Sequence, residues 1–209
     1  MKNYEPTLLT SLHTGHDQER FDIFAEIDSL SDFDWFVHYV SIYFHYDNQR
    51  ILVRRYIIGV ELEHILQELK SVSSGQRQIP QECKETDLGI LWNKHWQSVA
   101  LSQLKKQQLF TWDWLGSNLL FLQCYSNKNL SNNTFLYQDE YGNNVLQISS
   151  CYPYFFVDDN ATITYDQWLP SYKILYKKTI DMRVIEKWSI QLQELCLHAR
   201  KHYHSHSKV

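Results

Sequence analysis

The chain has 209 residues, 44% hydrophobic and 21% charged. These are globular proportions, and they exclude an intrinsically disordered chain. A formal net charge of −4 and a pI near 6.2 disfavour phosphate-backbone binding as the main function, and no apolar run approaches the roughly 18 residues that cross a bilayer.

Residues 1–35 carry eight acids against Lys2 and Arg20, a net of −6. Such a cluster is a solvated face or a docking surface for a basic partner. The first residues hold one early Lys, a broken apolar stretch and no small-residue cleavage site, so no signal peptide is expected and a cytoplasmic location is. Residues 35–46 place apolar or aromatic groups on both faces, the pattern of a strand covered on both sides. Asp47, Asn48 and Gln49 supply turn chemistry, and residues 50–58 form the returning strand of a hairpin. Gly59 allows a break. Leu62, Ile65, Leu66, Leu69 and Val72 then recur at helical spacing, and Ser73, Ser74 and Gly75 close that helix. Residues 76–86, polar and containing Pro80, read as a loop or linker.

Residues 88–108 suit a helix carrying Trp92, Trp96 and Val99. Phe110, Trp112 and Trp114 alternate, Gly116, Ser117 and Asn118 turn, and residues 119–125 form a buried strand. Residues 135–138 and 145–148 make a further hairpin around the Asp139–Asn144 turn. Residues 161–165 read as a strand and Pro170 as a bend. A strand follows over 172–178, then a last helix over 184–202 bearing Ile185, Trp188, Leu192 and Leu195. The stretches 50–72 and 173–195 echo each other: each has an Ile-Leu pair, a basic pair (Arg54/Arg55, Lys177/Lys178) and a helix ending in Gln-Glu-Leu. The fold class expected is α+β, a mostly antiparallel sheet with two or three amphipathic helices and a strand–strand–helix pseudo-repeat. It forms a single domain over 1–209, or two sub-units over 1–80 and 87–209.

Catalytic furniture is missing from the linear sequence. The six glycines are never closer than fourteen residues, which excludes a P-loop or dinucleotide fingerprint. Neither HExxH nor GxSxG occurs. Cys83, Cys124, Cys151 and Cys196 show no CxxC pairing, so reduced thiols are expected rather than zinc or a disulfide framework. His198 and His202 stand four apart on the last helix, followed by His204 and His206; the spacing can chelate a metal, but no Glu lies between them and the tail reads as adventitious. His38 and His45 read as hydrogen-bonded sheet residues. The basic pairs Arg54/Arg55, Lys105/Lys106 and Lys177/Lys178 split between the faces of their elements, which favours charge-protected edges over a nucleic-acid groove.

Tyr152-Pro153, followed by Tyr165, Trp168, Leu169, Tyr172, Lys173 and the helical Trp188, resembles the C-terminal part of small bacterial immunity proteins. The resemblance covers about a quarter of the chain. It implies a cytoplasmic, non-enzymatic antidote that binds one cognate toxin, of the kind used in contact-dependent growth inhibition, with no cofactor or metal. The acidic segment makes the expected toxin domain basic and nuclease-like, with docking through Asp28, Asp32 and Asp34 around Trp35 as aromatic anchor, or through Asp158 and Asp159. The alternatives are an enzyme with an Asp/Glu–His pocket between the two units, or a weak nucleic-acid-binding module.

Overall fold

The structure, a computed structural model, describes residues 6–16, 18–26, 38–84, 86–104, 116–124, 132–152 and 164–206. They form an α+β protein with two four-stranded sheets, ordered β1-β2-β3-β4 and β5-β6-β7-β8. Two compact units result: Met1–Gln76 with Ile180–Val209, and Arg77–Thr179.

In the first unit β1 (Thr7–His13), β2 (Arg20–Ala25), β3 (Tyr39–Tyr46) and β4 (Gln49–Ile57) run antiparallel as a meander. Alternation sends Leu12, Phe21, Ile23, Val40, Ile42 and Phe44 to one face, all nearly inaccessible. Two helices cover that face, α1 (Ile58–Ser73) and α4 (Met182–His206). α1 contributes Leu62, Ile65, Leu69 and Val72; α4 contributes Ile185, Trp188 and Leu192. Trp188 packs edge-on against Phe21, centroids 5.7 Å apart, and its indole N–H donates to the His13 carbonyl at 2.7 Å. Asp181 starts α4 by accepting the Arg183 amide at 2.8 Å.

Local chemistry accounts for the turns. β3 and β4 meet in a two-residue turn at Asp47 (φ 43°) and Asn48 (φ 59°), residue types that tolerate the left-handed region. Gln49, expected in the turn, already belongs to β4. Gly75 (φ 73°) ends α1 in a Schellman motif: its amide donates to Val72 O and that of Gln76 to Ser71 O, both at 3.0 Å. Gly59 is no break, because extended Ile57 hands the chain straight into α1 and Gly59 lies inside the first turn.

The second unit holds α2 (Leu88–Leu104), β5 (Leu120–Cys124), β6 (Asn132–Gln138), β7 (Asn144–Ser150), the short α3 (Tyr165–Trp168) and β8 (Ile174–Ile180). β5, β6 and β7 pair antiparallel, and the Ser150 amide donates to Lys173 O at 2.9 Å where β7 meets the chain entering β8. Trp92, Leu88, Phe135, Tyr137, Val145, Tyr152 and Tyr165 form its core. The stretch expected as a linker over 76–86 is tied to β6. Gln78 bridges Gln138 in parallel, amides exchange with Gln138 at 2.8 Å on either side, and buried Arg77 donates Nε–H to Leu136 O at 2.7 Å. Residues 164–165 are not strand: Thr164 and Gln167 form a reciprocal capping box that starts α3 at Tyr165. Residues 117–119 turn as one 3-10 helix, and another spans Leu169–Ser171 at Pro170.

A division into 1–80 and 87–209 leaves α4 with the later residues, but α4 packs against α1 and β1 of the first unit. Both echoed segments fold as a strand running into a helix, and the two helices pack on each other instead of closing separate units.

Candidate functional site

The sheet of the first unit has a second face, on which neither α1 nor α4 lies. Antiparallel register arranges its side chains in cross-strand rows. His13 pairs with Arg20, Arg20 with His45, and His45 with Arg50, giving one basic or imidazole side chain per strand. The next row is Ser11, Asp22, Tyr43 and Leu52; the third is Leu8, Phe24, Ser41 and Arg55. Leu8 is 50% exposed and Tyr39, further along β3, 45%, and His13, Arg50 and Arg55 also reach solvent, whereas Asp22 and Ser41 within the rows are buried, so the face is open along its margins and closed at its centre.

Two carboxylates organise it. Asp22, nearly buried, accepts from Ser11 Oγ at 2.6 Å and from Arg20 Nε at 3.0 Å, and His45 Nε2 lies 2.9 Å from its second oxygen. Glu26 accepts from Ser41 Oγ at 2.6 Å and takes a two-pronged contact from Arg55, at 2.7 and 2.6 Å. The Arg55 hydrogen bond holds the Glu26 carboxyl below its usual range against opposing burial, and raises the guanidinium in return. Burial pushes the His45 imidazole down despite Asp22 beside it, so it is neutral at physiological pH.

Arg50 differs from its neighbours. Its guanidinium sits 3.7 Å from the Tyr43 ring centre and 5.2 Å from that of Phe24, and among the described residues no carboxylate pairs with it. Stacking fixes the planar group while leaving its N–H edge for another acceptor.

A second polar cluster lies in the other unit. Asp87 caps α2, accepting the Gly89 and Ile90 amides at 3.0 and 3.3 Å. It also accepts from Gln147 Nε2 at 3.1 Å and from the Tyr172 hydroxyl. Burial, then Asp87, pushes the Tyr172 hydroxyl far up; burial does the same to Tyr137, whose hydroxyl donates to Gln147 at 3.3 Å. Asn93 joins α2 to the end of β7 by donating to Ser150 O at 3.2 Å and accepting the Tyr152 amide at 2.6 Å. These groups satisfy one another inside the core, so the cluster positions α2 on the sheet.

The expected docking residues Asp28, Asp32, Asp34 and Trp35, and the alternatives Asp158 and Asp159, lie outside the described residues, as do Lys105, Lys106 and the 110–114 alternation. Arg54 and Arg55 part to opposite faces: Arg54 donates to buried Glu61 of α1 at 2.9 Å, Arg55 to Glu26. Lys177 and Lys178 are exposed on β8. Cys83, Cys151 and Cys196 are buried thiols outside any disulfide. Among the described residues no group of three or more His, Cys, Asp or Glu could hold a metal ion, and no helix is long and apolar enough to cross a membrane. The side chains of His198 and His202 are not among those described.

No protein-family model matches the chain, and no curated protein or solved structure matches it either. Four residues of the immunity-protein resemblance, Tyr152, Tyr165, Trp168 and Tyr172, form one aromatic cluster with neighbouring rings 5.5–6.0 Å apart. Sequence reasoning overlooked the basic row, because its four members come from four strands and share no local motif. One signal was available. Tyr43, His45 and Arg50 sit two residues apart or across a two-residue turn, so hairpin register alone brings them to one face.

Proposed function

We propose that this chain is a protein-binding inhibitor of the toxin–immunity kind, acting in the cytoplasm by stoichiometric capture of one cognate toxin domain. One observation carries the reading: an open sheet face on which arginines and aromatic side chains are held in place by ion pairs and ring stacking. Arg and Tyr are the residue types in which interface energy concentrates, and side chains already immobilised lose less entropy on docking. The resemblance around Tyr152–Trp188 supports the choice of a toxin as partner. The test is co-expression with the toxin encoded beside the gene. Restored growth together with a one-to-one complex is expected; a neighbouring toxin that kills undiminished overturns the reading.

The Asp22–His45 contact favours a second reading, an enzyme whose imidazole, lying beside the carboxylate, takes a proton from a substrate on the open face. The pair belongs to one unit and joins adjacent strands. Turnover of an ester or phosphodiester that disappears in His45→Asn, with the fold intact, decides for it. A His45→Asn chain that still protects against the toxin decides against it.

A further inference from the structure

From the juxtaposition of the His13–Arg20–His45–Arg50 row with the Tyr43, Leu52 and Phe24 side chains of the next two rows, we infer that the open face of the first sheet docks an acidic segment of a partner protein, with Arg50 receiving a carboxylate. The inference rests on the protein-binding reading above and adds the chemistry of the occupant. It gives this face a sign opposite to that expected for the segment around Asp32.

The charge argument begins with what is already neutralised. Of the three arginines on the face, Arg20 is bound to Asp22 and Arg55 to Glu26. Both carboxylates are consumed, Asp22 by three neighbours and Glu26 by two. Arg50 remains as a cation without an acid among the described residues, at the end of the row and exposed. A guanidinium backed by two rings is a preorganised fork, and carboxylate matches it with two parallel hydrogen bonds. His13, exposed on the outermost strand, completes the row with further donor capacity.

The same face argues against a nucleic-acid strand. Binding a phosphodiester chain rests on neutralising several phosphates at once. Here one unneutralised guanidinium is available, and Asp22 and Glu26 lie in the path of a strand crossing the sheet. Beside the row stand Tyr43, Phe24 and Leu52, with Leu8 half exposed. Apolar surface flanking a single aromatic-backed arginine is the composition of a protein hot spot, in which the charge selects and the apolar rim excludes water.

The probe is a fluorescein-labelled twelve-residue peptide of alternating Glu and Leu, with its Gln-and-Leu counterpart and a dodecamer of deoxythymidine as controls, titrated onto the full chain at low ionic strength. Saturable binding of the Glu peptide is expected, weakened at least tenfold in Arg50→Ala and unchanged in Lys177→Ala, which removes an exposed cation of the other unit. Arg50 is exposed, so an unaltered thermal transition is expected to accompany the loss. Absence of Glu-peptide binding, equal binding of the Gln peptide, equal loss in Lys177→Ala, or tighter binding of the oligonucleotide each overturns the inference. If Arg50→Ala protects cells from the toxin as fully as the unaltered chain, this inference fails while the inhibitor reading stands. Absence of protection by the unaltered chain overturns the inhibitor reading, and the peptide titration then still reports on the face.

Discussion

Gly89 occupies the first turn of α2, where Ala ordinarily gains about 1 kcal/mol through helix propensity. Here a Cβ would run into the Tyr172 hydroxyl and Ser149 Oγ, with Ser149 Cβ 3.1 Å away. Tyr172 cannot retreat without giving up its hydrogen bond to Asp87, the same carboxylate that caps α2. Overpacking a full core costs about 1–3 kcal/mol, and weakening a hydrogen bond to a charged group about 1.5–3 kcal/mol. Against the propensity gain, Gly89→Ala should destabilise by about 1.5–5 kcal/mol. At a urea dependence of about 2 kcal/mol/M, the midpoint falls by roughly 0.8–2.5 M. Removing the obstructing hydroxyl in Tyr172→Phe should relieve part of the clash, so Gly89→Ala costs less in that background, with a coupling of at least about 0.5 kcal/mol. A higher midpoint for Gly89→Ala, or the same loss in both backgrounds, refutes the argument.

Three further outcomes are expected. Trp188→Phe strands the His13 carbonyl and should cost about 1–3 kcal/mol by urea denaturation, whereas Trp188→Ala adds a cavity beside Phe21 and should cost about 3–5 kcal/mol. Arg54→Ala leaves the Glu61 carboxyl 1% exposed without its guanidinium partner, so it should destabilise more than the double replacement Arg54→Leu/Glu61→Leu; the ordering of the two midpoints is the check. Stability should also fall with acid in two stages. His45, pushed down from 6.5 by burial, contributes stability that is complete above about pH 6.5 and is lost as pH falls through its folded pKa. Glu26, held below 4.5 by Arg55, does the same from about pH 4.5 downward, and being partly exposed contributes about 1 kcal/mol or less. Midpoints measured against pH should flatten in the upper window for His45→Gln and in the lower one for Glu26→Gln; unchanged slopes refute the assignments.

Short-range chemistry was legible in the sequence: the Asp47-Asn48 turn, the Gly75 cap, the apolar stripe of α1 and the hairpin around Gly142 all follow from backbone preferences and from periods of two or 3.6 residues. So did the α+β class, since those periods alternate along the chain. What long-range pairing decides was not legible. The polar stretch after Gly75 reads as linker, yet Arg77 is buried because β6 offers it a carbonyl. α4 echoes α1 in sequence and packs against it, a choice made by Trp188 reaching Phe21 and His13. The basic row exists only through strand register. A bulge that leaves Val53 without a partner opposite Ile42 and Tyr43 turns Arg54 toward Glu61 while Arg55 meets Glu26; without that extra residue, alternation would put Arg50, Leu52 and Arg54 on one face. Composition and spacing determine which side chains can alternate, turn or cap. Which of them meet depends on pairings between segments distant in the chain, whose free energy comes from burial shared among all the strands and helices at once.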